Sequence, residues 1–124
     1  MRKAGPPRDM PPPLELECLK ALWTLGHGTV HQVRQALAGE RTLAYTTVLT
    51  VLDRLEKRGA VTRRKQGLAF VYAPKVTRDA LRDRAVKRLA ADFFDGSVDA
   101  LAAYLKASAA RAREDADTFV TAGS

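Results

Sequence analysis

Cysteine is nearly absent from this sequence, and its scarcity excludes two kinds of structure. The single cysteine, Cys18, allows neither an internal disulfide nor a metal site built from clustered cysteines. Because Cys18 lies within an apolar helical pattern, we predict that it is a small core residue. No run approaches the roughly 18 apolar residues of a membrane-spanning helix, and residues 1–13 lack the apolar segment of a secretory signal. A soluble, cytoplasmic protein with no membrane partner is therefore expected.

Motifs for catalysis and for metal binding are missing as well. The chain has no glycine-rich phosphate loop, and its hydroxyl, histidine and acidic residues show no arrangement typical of nucleophilic catalysis. His27 and His31 are four residues apart, but His27 falls in a glycine-flanked turn and no third ligand is placed beside the pair. We therefore expect structural roles for both histidines, and neither a metal, a cofactor nor an enzymatic activity.

Acidic residues are outnumbered, and the imbalance is uneven along the chain. The 124 residues include 14 aspartates and glutamates against 21 lysines and arginines, for a formal charge of +7 and a pI near 10.0. Residues 1–76 carry 13 basic and 6 acidic residues, whereas residues 77–124 carry 8 of each. The amino-terminal part is therefore expected to contact a polyanion, although charge alone does not distinguish DNA, RNA and an acidic membrane.

Residues 43–59, LAYTTVLTVLDRLEKRG, have the pattern of an amphipathic helix. One side of this helix carries Ala44, Val48, Val51, Leu52 and Leu55. The opposite side carries Thr46, Thr50, Asp53 and Lys57. Threonine hydroxyls can bond to base edges or phosphates, and the threonine methyl can contact a thymine methyl. Taken alone, the helix fits DNA recognition and a half-buried helix that packs its threonines on another element equally well.

A β-hairpin is predicted directly after this helix. Gly59 is a natural helix end, and residues 61–66 and 69–73 are β-rich runs on either side of a tight turn. The basic residues next to that turn are Arg63, Arg64 and Lys65. A helix followed by a hairpin with a basic tip is the order of a recognition helix and its wing, which favours DNA binding.

Two shorter helices are predicted upstream. Residues 14–25 have apolar positions at helical spacing, and a capping box of Thr29 and Gln32 begins a second helix that ends near Gly39. The sequence thus predicts a mainly α fold with a small β-hairpin, in which an N-terminal winged helix-turn-helix is followed by further helices.

The last third of the chain has a different pattern. Its apolar residues are spaced by three or four, which predicts two helices, the second capped by Ser97. Residues expected on their apolar faces include Leu81, Leu89, Phe93, Leu101 and Leu105. Because a compact winged domain leaves these faces little surface to cover, we expect them to pair with a second copy of the chain, while folding back on their own domain is the alternative.

The predicted organisation of the chain has three parts. Residues 1–13 are rich in proline and form a disordered tail, residues 14–76 form the winged-helix DNA-binding domain, and residues 77–124 form a helical dimerisation region.

Four segments resemble the BlaI/MecI penicillinase-repressor family, which includes the CopY-type copper repressors. These segments are LELECLKALW (14–23), TVHQV (29–33), LAYTTVLTVLDRLEKRGAVTRR (43–64) and FVYAP (70–74). The tyrosine and paired threonines that open the third helix, followed a turn later by DRL, are specific in combination. The resemblance covers about residues 14–105. It is strong over the winged helix and loose over the C-terminal helices.

The resemblance implies a homodimeric transcriptional repressor that binds inverted repeats in promoters. It places the start of the third helix in the DNA groove and the basic hairpin residues on the wing, with Arg54 nearer the DNA backbone or internal contacts. Lys57 lies on the same helix face, where it can also pair with Asp53. Residues expected to contact double-stranded operator DNA are Tyr45, Thr46, Thr47, Thr50, Arg54, Lys57, Arg63, Arg64 and Lys65.

The sequence departs from the family at two places that concern induction. Resistance-type members are inactivated when a membrane sensor protease triggers cleavage at an asparagine-phenylalanine bond, but this chain contains no asparagine and has Tyr104 and Leu105 at those positions. Copper-sensing members carry paired cysteines near the C-terminus, which Cys18 cannot supply. The inducing signal, any upstream sensor protease and the regulated genes are therefore left open.

Two other classes of function stay open on the residues alone. A winged helix can act as a protein-interaction module without sequence-specific DNA binding, and its outer helix face would then carry apolar anchors. An RNA or a ribosomal partner would also suit a basic surface.

Overall fold

The computed structural model describes residues 10–123, and their side chains as far as residue 117. Its elements are α1 (Pro13–Leu25), α2 (Val30–Leu37), α3 (Tyr45–Lys57), β1 (Val61–Gln66), β2 (Ala69–Pro74), α4 (Arg78–Phe93) and α5 (Val98–Gly123). The prediction of a mainly α fold with one small hairpin is confirmed. The chain divides into two compact units, the first ending at Arg82 and the second beginning at Asp83.

Local sequence signals explain where the first two helices begin. Pro13 occupies the first turn of α1, where its fixed φ suits a helix and its missing N–H is not needed. At α2 the predicted capping box is present: the Gln32 backbone N–H donates to Thr29 Oγ1 at 3.2 Å, and the Thr29 N–H donates to Gln32 Oε1 at 2.8 Å. The predicted tail lies outside the described residues over positions 1–9, but Met10 packs against the core.

A single core joins the three helices, the hairpin and the start of α4 in the first unit. Its buried members include Leu19 and Leu22 of α1, Val33 and Leu37 of α2, Val48, Leu52 and Leu55 of α3, Val61 of β1 and Tyr72 of β2. The apolar side predicted for the third helix is therefore the one that faces the core, except that Ala44 is an exposed N-cap rather than a core residue.

Cys18 is fully buried in this core, as predicted. Burial, with a smaller contribution from the charges of Glu17 and Glu15, raises the pKa of its thiol to about 11. The thiol therefore stays protonated at neutral pH, which suits a small apolar packing group.

The hairpin is attached to the helices by a short backbone contact that the sequence did not predict. The Gly28 N–H donates to the Tyr72 carbonyl at 2.9 Å, and the Tyr72 N–H donates to the Gly28 carbonyl at 2.8 Å. A Cβ at Gly28 would lie 3.3 Å from Leu25 Cδ1 and 3.4 Å from Gln32 Oε1, so a larger residue there would require these side chains to shift by a few tenths of an ångström. This bridge fixes the hairpin next to the helix-turn-helix.

The second unit consists of the rest of α4 and the long helix α5. Asp95 and Gly96, both with positive φ, turn the chain between the two helices, and the Ser97 hydroxyl accepts from the Ala100 N–H at 3.0 Å as the predicted cap. Within residues 10–123, no helix is both long and apolar enough to cross a bilayer.

Candidate nucleic-acid interface

The free side of α3 is the first part of the candidate interface. Thr46 and Thr50 are exposed, while Thr47 is half-buried at the edge of this face. Because Val48, Val51 and Leu52 use the other side of the helix for the core, the two exposed threonines project away from the fold. They are not packed on another element, which was the alternative interpretation of this helix.

Two contacts from α2 hold the start of α3. The Tyr45 ring lies against the His31 ring, with centroids 4.8 Å apart, and remains partly exposed. Arg34 Nε donates to the Leu43 carbonyl at 2.7 Å, which fixes the segment that leads into α3. His31 and Arg34 are thus positioning residues of this surface that the sequence did not reveal, since neither the ring contact nor the hydrogen bond leaves a local pattern.

The basic residues at the end of α3 have different surroundings. Arg54 is exposed and has no ion-pair partner among the described residues. Lys57 Nζ lies 3.1 Å from Asp53 Oδ2, the pairing expected from their spacing. Arg58, by contrast, is turned inward to Glu15, with 2.9 Å between the guanidinium and the buried carboxylate. Arg54 and Lys57 therefore reach the surface, and Arg58 connects α3 to α1.

The three basic residues of the wing lie on two different faces of the hairpin. Arg63 is opposite Tyr72 and Lys65 is opposite Phe70, so these residues share the face that meets the helices, whereas Arg64 is opposite Val71 on the other face. The sequence grouped the three by their closeness to the turn. The alternation of side chains along a strand separates them.

The two-residue turn of the hairpin consists of Gly67 and Leu68. Only Gly67 has positive φ, at +63°, which is the pattern of a type II′ turn. Leu68 is fully exposed at the tip.

Asp53 connects the recognition helix with the wing. Its Oδ1 lies 3.9 Å from the Arg63 guanidinium, while its Oδ2 contacts Lys57. The Arg63 guanidinium also lies over the Phe70 ring, 4.3 Å from the centroid. The structure therefore joins the helix and the wing through the Asp53 carboxylate, which the sequence had already placed on the outer side of α3, and through the Phe70 ring, which the sequence did not assign to this surface.

The residues expected at a dimer interface fall into two groups. Leu89, Phe93 and Leu105 are exposed, with Phe93 exposed to 75%. Leu81 belongs instead to the core of the first unit and is only 4% exposed, and Leu101 is 2% exposed. Because both leucines are already covered within their own chain, neither offers a surface to a partner.

No three histidine, cysteine, aspartate or glutamate side chains lie close enough to hold a metal ion in the part of the chain that the structure describes. The surface formed by α3 and the wing carries hydroxyl groups, one tyrosine and several cations, together with the Asp53 carboxylate and the partly exposed Leu49 and Phe70. Such a set can donate hydrogen bonds and neutralise phosphates, which is the chemistry of a DNA-binding face.

Comparisons with known proteins agree with this geometry. The transcriptional regulator BlaI of Mycobacterium tuberculosis is 45% identical over 69 residues, which are 55% of this chain and 50% of that protein. The penicillinase repressor of Bacillus licheniformis is 36% identical over 62 residues, which are 50% of this chain and 48% of the relative. The chain thus spans about half the length of each of these curated relatives.

A solved structure matches the same region. The solution structure of the DNA binding domain of the repressor BlaI is 30% identical and superposes with a TM-score of 0.52, over 58% of this chain and 88% of that domain. The match supports the winged-helix assignment of the first unit.

The family comparison covers more of the chain. The penicillinase repressor family matches residues 12–119, which include the whole winged helix, α4 and most of α5. The resemblance drawn from the four sequence segments is thereby confirmed, and it points to a family of repressors rather than enzymes. This chain belongs to the penicillinase repressor family, the BlaI/MecI family.

Proposed function

We propose that this protein is a transcriptional repressor that binds operator DNA sequence-specifically as a homodimer. The observation that carries the proposal is the free side of α3, where Thr46 and Thr50 project from a helix whose other side is buried. Membership in a repressor family and the likeness to the BlaI DNA-binding domain support it. The charge distribution supports it too, because the basic excess lies in residues 1–76.

Sequence discrimination and affinity have different sources in this proposal. The hydroxyls of Thr46 and Thr50 and the Tyr45 ring read base edges in the major groove, where each base pair presents its own pattern of donors and acceptors. Arg54, Arg64 and Lys65 neutralise phosphates and set the position of α3 on the duplex, without regard to sequence. Thr47, which is half-buried at the edge of this face, would contact DNA only through the part of its side chain that stays exposed.

The second unit supplies the contact between two copies. Val86, Leu89, Phe93, Val98, Tyr104 and Leu105 all keep at least two fifths of their surface exposed in the single chain. A set of large apolar side chains on two successive helices is the usual composition of a homodimer interface, which is more apolar than ordinary protein surface. Two α3 helices presented by such a dimer would meet successive major grooves about 34–36 Å apart on a two-fold symmetric site.

As a repressor, the protein would act in the cytoplasm, where it can reach promoter DNA. How it is released from that DNA is a separate question. The family's asparagine-phenylalanine bond has no counterpart here, because the chain has no asparagine. An upstream sensor protease, if one acts on this protein, must therefore recognise a different bond.

The direct test measures binding to two probes. Fragments selected from genomic DNA by the protein provide the preferred duplex, and a shuffled duplex of equal length provides the non-specific one. Replacing Thr46 and Thr50 with alanine together should weaken binding to the selected fragment much more than binding to the shuffled one, because hydrogen bonds to base edges distinguish base pairs whereas contacts to phosphates do not.

The matched control is Thr24→Ala, which removes an exposed threonine from α1 rather than from α3. This variant should bind both probes like the unmodified protein. Equal reductions on both probes in the double variant would remove base recognition from α3, and a wild-type protein without preference for any fragment would refute the repressor proposal.

One observation favours a second candidate, a protein-interaction module. Leu49 and Tyr45 lie near the outer face of α3 and are 37% and 40% exposed, so that face is not wholly polar. Replacing Leu49 with serine distinguishes the two functions, since binding of a protein partner anchored there would be abolished while DNA affinity would change little.

A further inference from the structure

The Asp53 carboxylate is a negative charge on the surface that we propose contacts DNA, a polyanion. It lies on the outward side of α3, one turn from Thr50, and its side chain is 37% exposed. A negative charge facing DNA repels phosphates, so its presence there requires an explanation. Asp53 is also the point at which the recognition helix and the wing meet.

Two cationic side chains form ion pairs with this carboxylate. Lys57 Nζ lies 3.1 Å from Oδ2, and the Arg63 guanidinium lies 3.9 Å from Oδ1 while it stacks over the Phe70 ring at 4.3 Å. Arg63 is thus held between a carboxylate on α3 and an aromatic ring on β2. Arg64, on the opposite face of the hairpin, has no ion pair or ring contact among the described residues.

We propose that Asp53 is a specificity-determining residue that acts through Arg63 and Lys57, by holding the wing against the recognition helix and by masking both cations from non-specific phosphates. This inference rests on the proposed DNA-binding function and extends it to a residue that touches no base. Pairing favours positions of both cations at the junction of helix and wing, so a duplex whose backbone meets them there while α3 lies in its groove can use them more fully than other duplexes.

A role in stability alone does not account for the geometry. Exposed ion pairs of this kind contribute little to folding, because solvent screens them and both side chains lose freedom when they pair. An ordinary helix pair between Asp53 and Lys57 would also need no contact with the wing. The other oxygen of Asp53, Oδ1, lies next to Arg63 of the wing. This contact links the carboxylate to the DNA-binding surface rather than to the helix alone.

The experiment compares Asp53→Asn with the unmodified full-length protein on the genomically selected fragment and the shuffled duplex, across a range of salt concentrations. Removal of the carboxylate frees Lys57 and Arg63, so affinity for the shuffled duplex at low salt should rise roughly threefold or more. The slope of log affinity against log salt should steepen by roughly 0.9 for each cation released. Because affinity for the selected fragment should not rise in parallel, the preference for that fragment should fall by roughly the same factor of three or more.

Three further variants make the result specific. Asp79→Asn carries the same change in net charge and also breaks an exposed helix pair, to Arg82 at 3.2 Å, but lies at the start of α4. It should leave the preference unchanged. Asp53→Glu keeps the negative charge and should keep most of the preference for the selected fragment. In a protein in which Arg63 and Lys57 are already glutamine, Asp53→Asn should change the preference no further.

The possible outcomes separate this inference from the function on which it rests. A lowered melting temperature with unchanged preference and slope would make Asp53 an ordinary helix-stabilising residue and overturn the inference. Equal effects of Asp53→Asn and Asp79→Asn would also overturn it, since total charge would then explain the change. If the unmodified protein itself prefers no fragment, the repressor proposal fails and the specificity role of Asp53 fails with it.

Discussion

Replacing Arg58 with alanine tests how the end of the recognition helix is joined to α1. The Glu15 carboxylate is 3% exposed and has the Arg58 guanidinium at 2.9 Å. Removing one partner of a fully buried pair costs about 3–5 kcal/mol, because the other charge is left unpaired. Since the Arg58 side chain is 36% exposed and water can partly replace it, we expect a smaller decrease, about 1–3 kcal/mol in the free energy of unfolding.

Thermal unfolding followed by circular dichroism at pH 7 measures this decrease. For a domain of this size, each kcal/mol lowers the melting temperature by roughly 4–8 °C, so Arg58→Ala should melt about 5–20 °C lower. The control is Arg41→Ala, which breaks a pair with Glu17 that is longer, at 3.5 Å, and has a more exposed arginine. That variant should be destabilised by less than about 1 kcal/mol.

Equal melting temperatures for the two variants would refute the reasoning, because burial of Glu15 would then have no energetic consequence. A second comparison tests the same point. Replacing Glu15 with leucine in the Arg58→Ala background removes the unpaired charge and should recover part of the stability. At temperatures where Arg58→Ala is folded, its salt dependence of DNA binding should be unchanged, since the Arg58 guanidinium is paired with Glu15 of α1.

Further predictions concern the wing, the second unit and the core. Replacing Arg64 and Lys65 with glutamine should reduce the magnitude of the salt slope of DNA binding by roughly 0.9 for each phosphate that is no longer neutralised, and an unchanged slope in a filter-binding titration would exclude them from the interface. Phe93→Asp should yield folded monomers with weak operator affinity, because Phe93 is exposed within its own chain. Sedimentation velocity measures this, with Leu68→Asp, a fully exposed leucine in the first unit, as the variant that should remain dimeric. Cys18 should resist alkylation in the native protein at pH 7, since burial raises the pKa of its thiol to about 11, and labelling at the rate of a free thiol would contradict its core position. The same shift predicts stability that is complete below pH 9 and falls as the pH rises toward 11, because the unfolded thiol ionises first, and Cys18→Ala should abolish this component.

The second unit shows that apolar spacing predicts which side of a helix is apolar but not which of its residues are buried within the chain. The spacing of Leu81, Leu89, Phe93, Leu101 and Leu105 predicted that one side of each helix is covered, and it treated these residues alike. In the structure Leu81 joins the core of the first unit and Leu101 is buried, whereas the other three are exposed. Periodicity identifies which side of a helix is apolar but does not identify what covers it.

The sequence by itself determined the features whose cause lies within a few residues. The capping box at Thr29 and Gln32, the buried side of α3 and the hairpin around Gly67 all follow from spacing and from backbone preferences. Only the tertiary structure decided how separate elements meet, as in the bridge from Gly28 to Tyr72, the stacking of His31 on Tyr45 and the pairing of Asp53 with Arg63. Local patterns repeat along one helix or strand and can be read there, whereas a contact between two elements depends on their relative position, which the packing of the whole core sets.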